Sequence, residues 1–143
     1  MTLADSVKSD LTTAMKAGEK VRVGTLRLLL SELQKAAKEG SDDELAVLRR
    51  ERKRRLEAAT AFRGGDRPEL AEAEEAEAQI IATYLPAELS DDELATIVND
   101  AVAETGASSQ KEMGAVMKAA MAKVAGRADG KRVSALVRST LGG

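Results

Sequence analysis

Three stretches of this chain concentrate charged or turn-forming residues densely enough to suggest chemistry. Arg49-Arg50-Glu51-Arg52-Lys53-Arg54-Arg55 reads either as a nucleic-acid patch or as the solvated face of a helix. The acidic set Glu69, Glu72, Glu74, Glu75 and Glu77 invites acid–base or metal roles. The third stretch holds Lys111, Lys118, Lys123, Arg127, Lys131, Arg132 and Arg138, and several of these bracket the turn Val124–Lys131. A helix beginning at such a turn points free amides and a positive dipole end outward, which suits phosphate. Gly126 and Gly130 there leave room for a bulky ligand to approach the backbone.

Composition removes most catalytic readings. The 143 residues include no His and no Cys. Imidazole bases, thiolate nucleophiles, disulfides and Cys/His zinc sites are therefore excluded. The glutamates lack the tight loop of a calcium site, and a di-iron bundle needs a His after its Glu. The turn Gly106-Ala107-Ser108-Ser109 lacks the Gly-Lys-Ser/Thr of a phosphate loop and reads as a helix cap. No catalytic residue, metal or cofactor is expected.

The net charge of −2 is unevenly spread. Residues 1–86 carry 15 basic and 16 acidic side chains, residues 87–106 none and 6, and residues 107–143 carry 7 and 2. The last segment is thus +5, next to one of −6. Such asymmetry points to a polyanionic partner. Unpaired bases are normally gripped by aromatic stacking, and nothing after Tyr84 is aromatic. Backbone and shape recognition of a folded RNA fits better.

The elements that hold these residues read as helices throughout. One Phe, one Tyr and no Trp leave Leu, Val, Ile, Met and Ala to build the core. Alternating β-branched runs are absent. Capping boxes are expected at Thr2…Asp5, Ser41…Glu44, Asp66…Glu69, Ser90…Glu93 and Ser109…Glu112, with Asp129 capping the last helix. Gly18, Gly40, Gly64-Gly65, Gly106 and Gly126 are the expected stops. Leu3, Val7, Leu11 and Met15 form the predicted apolar face of the first helix. Arg52 falls on the stripe between Leu48 and Leu56, where its methylenes would cover the core edge.

Pro86 separates segments of different composition. The prediction is all-α: an N-terminal domain of about four helices over residues 1–86, then a small three-helix bundle over 87–143. The Gly64-Gly65 turn would fold the acidic fourth helix back on the basic third, so that opposite charges line their seam. The N-terminus lacks a signal sequence and Leu28-Leu29-Leu30 is the longest apolar run, so a cytoplasmic protein that does not enter membranes is expected.

Several motifs, taken in order and spacing, resemble the GatB/YqeY family. These are Arg22-Val23-Gly24-Thr25-Leu26-Arg27-Leu28-Leu29, Glu74-Glu75-Ala76-Glu77, Tyr84-Leu85-Pro86, Leu89-Ser90-Asp91-Asp92-Glu93-Leu94, Met113-Gly114-Ala115-Val116-Met117 and Gly126-Arg127-Ala128-Asp129-Gly130-Lys131. The resemblance spans nearly the whole chain. It implies a tail similar to the C-terminal domain of the B subunit of the glutamine-dependent Asp/Glu-tRNA amidotransferase, a region associated with the tRNA body. It further implies tRNA as a partner, with an amidotransferase or aminoacyl-tRNA synthetase alongside. The nucleic-acid-binding residues expected are Lys118, Lys123, Gly126, Arg127, Gly130, Lys131, Arg132 and Arg138. The leading expectation is a non-catalytic tRNA-binding accessory module. The alternatives are participation with other subunits in carbon–nitrogen ligation with glutamine as amido donor, and a helical protein-interaction module using the 69–77 or 49–55 face.

Overall fold

A computed structural model describes residues 1–142. Among them are seven α-helices, one 3₁₀ turn and no strand, the all-α class the composition dictates. The chain divides into two compact units, Met1–Pro86 and Ala87–Gly143.

The first unit holds α1 (Leu3–Ala17), α2 (Lys20–Lys38), α3 (Glu44–Gly64) and α4 (Pro68–Ala82). Thr2 and Asp5 form the expected capping box on α1, and Gly18 closes it in the left-handed region at φ 72°. Two other starts depart from expectation. The Ser41…Glu44 box does not form: Asp43 caps α3, its Oδ1 accepting from the Ala46 amide at 3.1 Å. Glu44 instead accepts from the Leu3 and Ala4 amides of α1 at 3.0 and 2.9 Å. The box on α1 already serves Thr2 and Asp5, so Leu3 and Ala4 were the amides still lacking an acceptor. The Asp66…Glu69 box is also absent. Pro68 occupies the first helical position and holds Arg67 out of helical geometry, so Arg67 is the cap and Asp66 falls in the preceding turn at φ 58°.

Val7, Leu26, Leu29, Leu48 and Ile81 form the centre of this unit's core. Met15 is not among them: it is half exposed, and Ala14 takes its place. The predicted charge seam exists between α3 and α4. Arg55 Nε lies 3.0 Å from Glu77 Oε2 and 3.9 Å from Glu74 Oε2, and Arg63 pairs with Glu75. Burial inside the basic run falls on its one acid. Glu51 is 1% exposed, with Arg54 Nη1 at 3.2 Å, while Arg52 is half-buried.

The second unit holds α5 (Asp91–Thr105), α6 (Met113–Val124) and α7 (Gly130–Thr140). Ser90 and Glu93 form the capping box on α5, and Asp129 caps α7. Ser109 makes no cap bond. The chain enters α6 through a 3₁₀ turn, Gln110–Glu112, and the Glu112 carboxylate reaches back to the Ser108 amide at 2.8 Å. Val98, Ala101, Val116, Ala120, Val124, Val133 and Val137 are fully buried and interlock the three helices. Small, branched side chains at these crossings let helices approach closely without aromatic fillers.

Candidate nucleic-acid interface

The cations of the second unit fall into two sets. Three of them are held within the unit. Lys123, in the last turn of α6, places Nζ 2.9 Å from Glu104 Oε2 at the end of α5. That hydrogen bond, with the charges of Glu104 and Asp100, raises the ammonium pKa above its usual value. Arg132, in the first turn of α7, places Nη2 3.0 Å from Asp91 Oδ1 at the start of α5. Arg127, in the turn between α6 and α7, donates Nε–H to the Ala87 carbonyl at 2.9 Å, while its own carbonyl accepts from the Leu89 amide at 2.8 Å. Its charge also helps to hold the Glu93 carboxyl below the usual range, after the hydrogen bonds from Ser90 that dominate there.

The other four, Lys111, Lys118, Lys131 and Arg138, are exposed, and their side chains have no carboxylate partner among the described residues. Gln110 Nε2 meets the Arg138 carbonyl at 3.4 Å, which brings Lys111 and Arg138 to the same end of the α6–α7 pair. Lys118 lies midway along α6, and Lys131 sits at the opposite end of α7.

The turn itself separates its two glycines. The α6 cap Ala125 is left-handed at φ 51°, and Gly126 follows at φ 79°, so the backbone favours glycine at 126. Gly130 has no such preference, and a Cβ there would meet only Met121 Cε at 4.0 Å. Asp129 Oδ1 accepts from the Lys131 amide at 3.0 Å, the cap the sequence predicts, and so partly covers the start of α7.

Of the eight expected residues, Lys118, Lys131 and Arg138 are therefore open to a ligand. Lys123, Arg127 and Arg132 are tied within the unit, and Gly126 serves the turn. Lys111, part of the basic stretch but outside those eight, belongs with the open set. Sequence reasoning passed over the acids of α5 that hold Lys123 and Arg132. The −6 segment beside the +5 segment was the available signal for them.

No group of three His, Cys, Asp or Glu among the described residues is arranged to hold a metal ion. A polar cleft of about 280 Å³ lies between α2 and α3, lined by Glu32, Lys35, Ala36, Glu39, Arg50 and Arg54. None of the described helices is long and apolar enough to cross a membrane.

The family model for YqeY-like proteins matches residues 4–141, and the chain belongs to that family. The family is related to the C-terminal domain of the amidotransferase B subunit. Two curated proteins are similar to it. An uncharacterised protein of Schizosaccharomyces pombe is 34% identical over 85 residues, 56% of this chain and 69% of that protein. A protein of Meyerozyma guilliermondii named altered inheritance of mitochondria protein 41, mitochondrial, is 34% identical over 85 residues, 57% of this chain and 45% of that protein.

Proposed function

We propose that this YqeY-like chain is a non-catalytic accessory module whose C-terminal unit binds the phosphate backbone of a folded RNA, with tRNA as the leading partner. The observation that carries this reading is the open set Lys111, Lys118, Lys131 and Arg138, four exposed cations on α6, α7 and the 3₁₀ turn that leads into α6, with no carboxylate partner among the described residues. A solvated cation is an ordinary surface feature. Four on adjoining elements, beside three others engaged within the unit, support binding to a phosphate backbone.

Charge magnitudes set how strong such binding is. The unit as a whole carries 7 basic and 8 acidic side chains, the sum of the counts for 87–106 and 107–143, and is therefore −1. Attraction comes from the local arrangement and not from net charge, so affinity is modest and falls steeply with salt. The lack of aromatic side chains leaves base stacking out and makes RNA shape the basis of selection. Relation to an amidotransferase domain supports tRNA over other folded RNAs. A cytoplasmic location is part of the same proposal.

The test is a titration of the full chain with tRNA at several salt concentrations. The triple variant Lys118→Ala, Lys131→Ala, Arg138→Ala is expected to bind more weakly. Each phosphate neutralised adds roughly 0.7–0.9 to the log–log salt slope, so the variant's slope should be shallower by about 2.1–2.7. Absence of tRNA binding by the wild-type chain at low salt would sink the proposal. In a parallel assay the chain alone is expected to form no Gln-tRNA from Glu-tRNA.

A further inference from the structure

The acids of α5 invite a use that the fold does not demand. Glu104 and Asp91 stand at opposite ends of that helix, and each reaches a cation on a different neighbouring helix: Lys123 on α6 and Arg132 on α7. Both acids lie on the surface. The Asp91 side chain is fully exposed and that of Glu104 is 59% exposed. Exposed pairs of this kind contribute little to folding. The buried valines and alanines already fix how α5, α6 and α7 cross. The pairs do, however, place a carboxylate oxygen 2.9–3.0 Å from each cation, where a phosphate oxygen would bind. Asp92, Glu93 and Asp100 extend the same helix's negative charge, and α5 carries no basic residue.

We propose that α5 is an intramolecular competitor for the RNA phosphates that the unit binds. Asp91 and Glu104 occupy Arg132 and Lys123, and the acidic helix repels RNA from its own side. Only a polyanion that engages the open cations first displaces the two carboxylates and recruits the remaining pair. Weak or short anions fail to do so, which gives the surface a threshold as well as an orientation. This inference rests on the RNA-binding reading above.

The experiment neutralises the competitors while keeping their shape. In the full chain, Asp91→Asn with Glu104→Gln removes two negative charges and spares Glu93, whose carboxylate belongs to the helix cap. With tRNA as the probe, the double variant is expected to bind several-fold more tightly than wild type. Its salt slope is expected to steepen by about 1.5, from two further phosphates neutralised at roughly 0.7–0.9 each. A double-mutant cycle then separates occupancy from general repulsion: Glu104→Gln is expected to tighten binding in wild type and to do much less when Lys123 is already Ala. If the double variant and wild type bind tRNA equally, or the Glu104→Gln gain persists undiminished in the Lys123→Ala background, competition by α5 is overturned while RNA binding stands. If neither protein binds tRNA at low salt, the reading and the inference fall together. Far-ultraviolet circular dichroism checks that the variants keep the wild-type helix content, and Asp91→Asn alone, expected to tighten binding by a smaller factor, supplies an independent version of the test.

Discussion

Tyr84, two residues before Pro86, donates its hydroxyl hydrogen to the Asp10 carboxylate on α1, joining positions 74 apart in sequence. The bond holds the chain that leaves α4 against the first helix, beside Ile81 and Leu85 in the apolar cluster. Burial, that hydrogen bond and the Asp10 charge all raise the phenol pKa, with Arg22 opposing more weakly. For a phenol near 10 when unfolded but higher when folded, the contribution to stability is fully present at neutral pH and does not vary with pH there. Above about pH 10 the unfolded chain loses its proton first, so stability falls with further rise in pH. As the chain has one Tyr and no Trp, ultraviolet titration reads this group alone. Ionisation is expected only with alkaline unfolding, and Tyr84→Phe should flatten the alkaline loss of stability. A freely titrating phenol in the folded protein would contradict the hydrogen bond.

Glu44 caps a helix to which it does not belong. Replacing it with Ala leaves the Leu3 and Ala4 amides without their acceptor and removes a negative charge from the start of α1. A loss of about 1 kcal/mol is expected, the usual cost of a missing cap. Urea unfolding of the two proteins checks this, with amide exchange at Leu3 and Ala4 as the local readout.

Glu77 is the unfavourably placed member of the α3–α4 seam. Burial raises its carboxyl pKa first and the neighbouring Glu74 charge second, with Arg55 pulling the other way. An acid whose folded pKa is raised holds its proton more tightly in the native state. Its contribution to stability therefore improves as pH falls through that pKa and is unfavourable above it. Glu77→Gln is expected to leave stability at neutral pH unchanged or higher, and to remove part of the gain on mild acidification. A clear loss at neutral pH would mean that the Arg55 ion pair outweighs burial.

The glycines of the α6–α7 turn should behave oppositely. Gly126→Ala forces a side chain into the left-handed region and is expected to cost about 1 kcal/mol. Gly130→Ala meets only the flexible end of Met121, at 4.0 Å, and adds helix propensity, for a gain of roughly 0.5 kcal/mol. If RNA approaches the backbone here, the same change weakens tRNA binding in a protein that has become more stable. Unchanged affinity would place Gly130 outside the interface.

Residue pattern alone was enough to set the helical class, the capping boxes of α1 and α5, and the Asp129 cap. These depend on residues within one turn of each other, where local hydrogen bonding decides. The pattern was also enough to put opposite charges on the facing surfaces of α3 and α4, since a tight glycine turn leaves little other arrangement. What each remaining polar group serves was settled by packing in three dimensions. Nothing local tells Glu44 to leave its own helix for the Leu3 and Ala4 amides, or sends Lys123 and Arg132 to acids 19 and 41 positions earlier. Side-chain charges of one sign are interchangeable in a linear pattern. Only packed distances, here near 3 Å, distinguish cations already neutralised by their own chain from those left to bind something else.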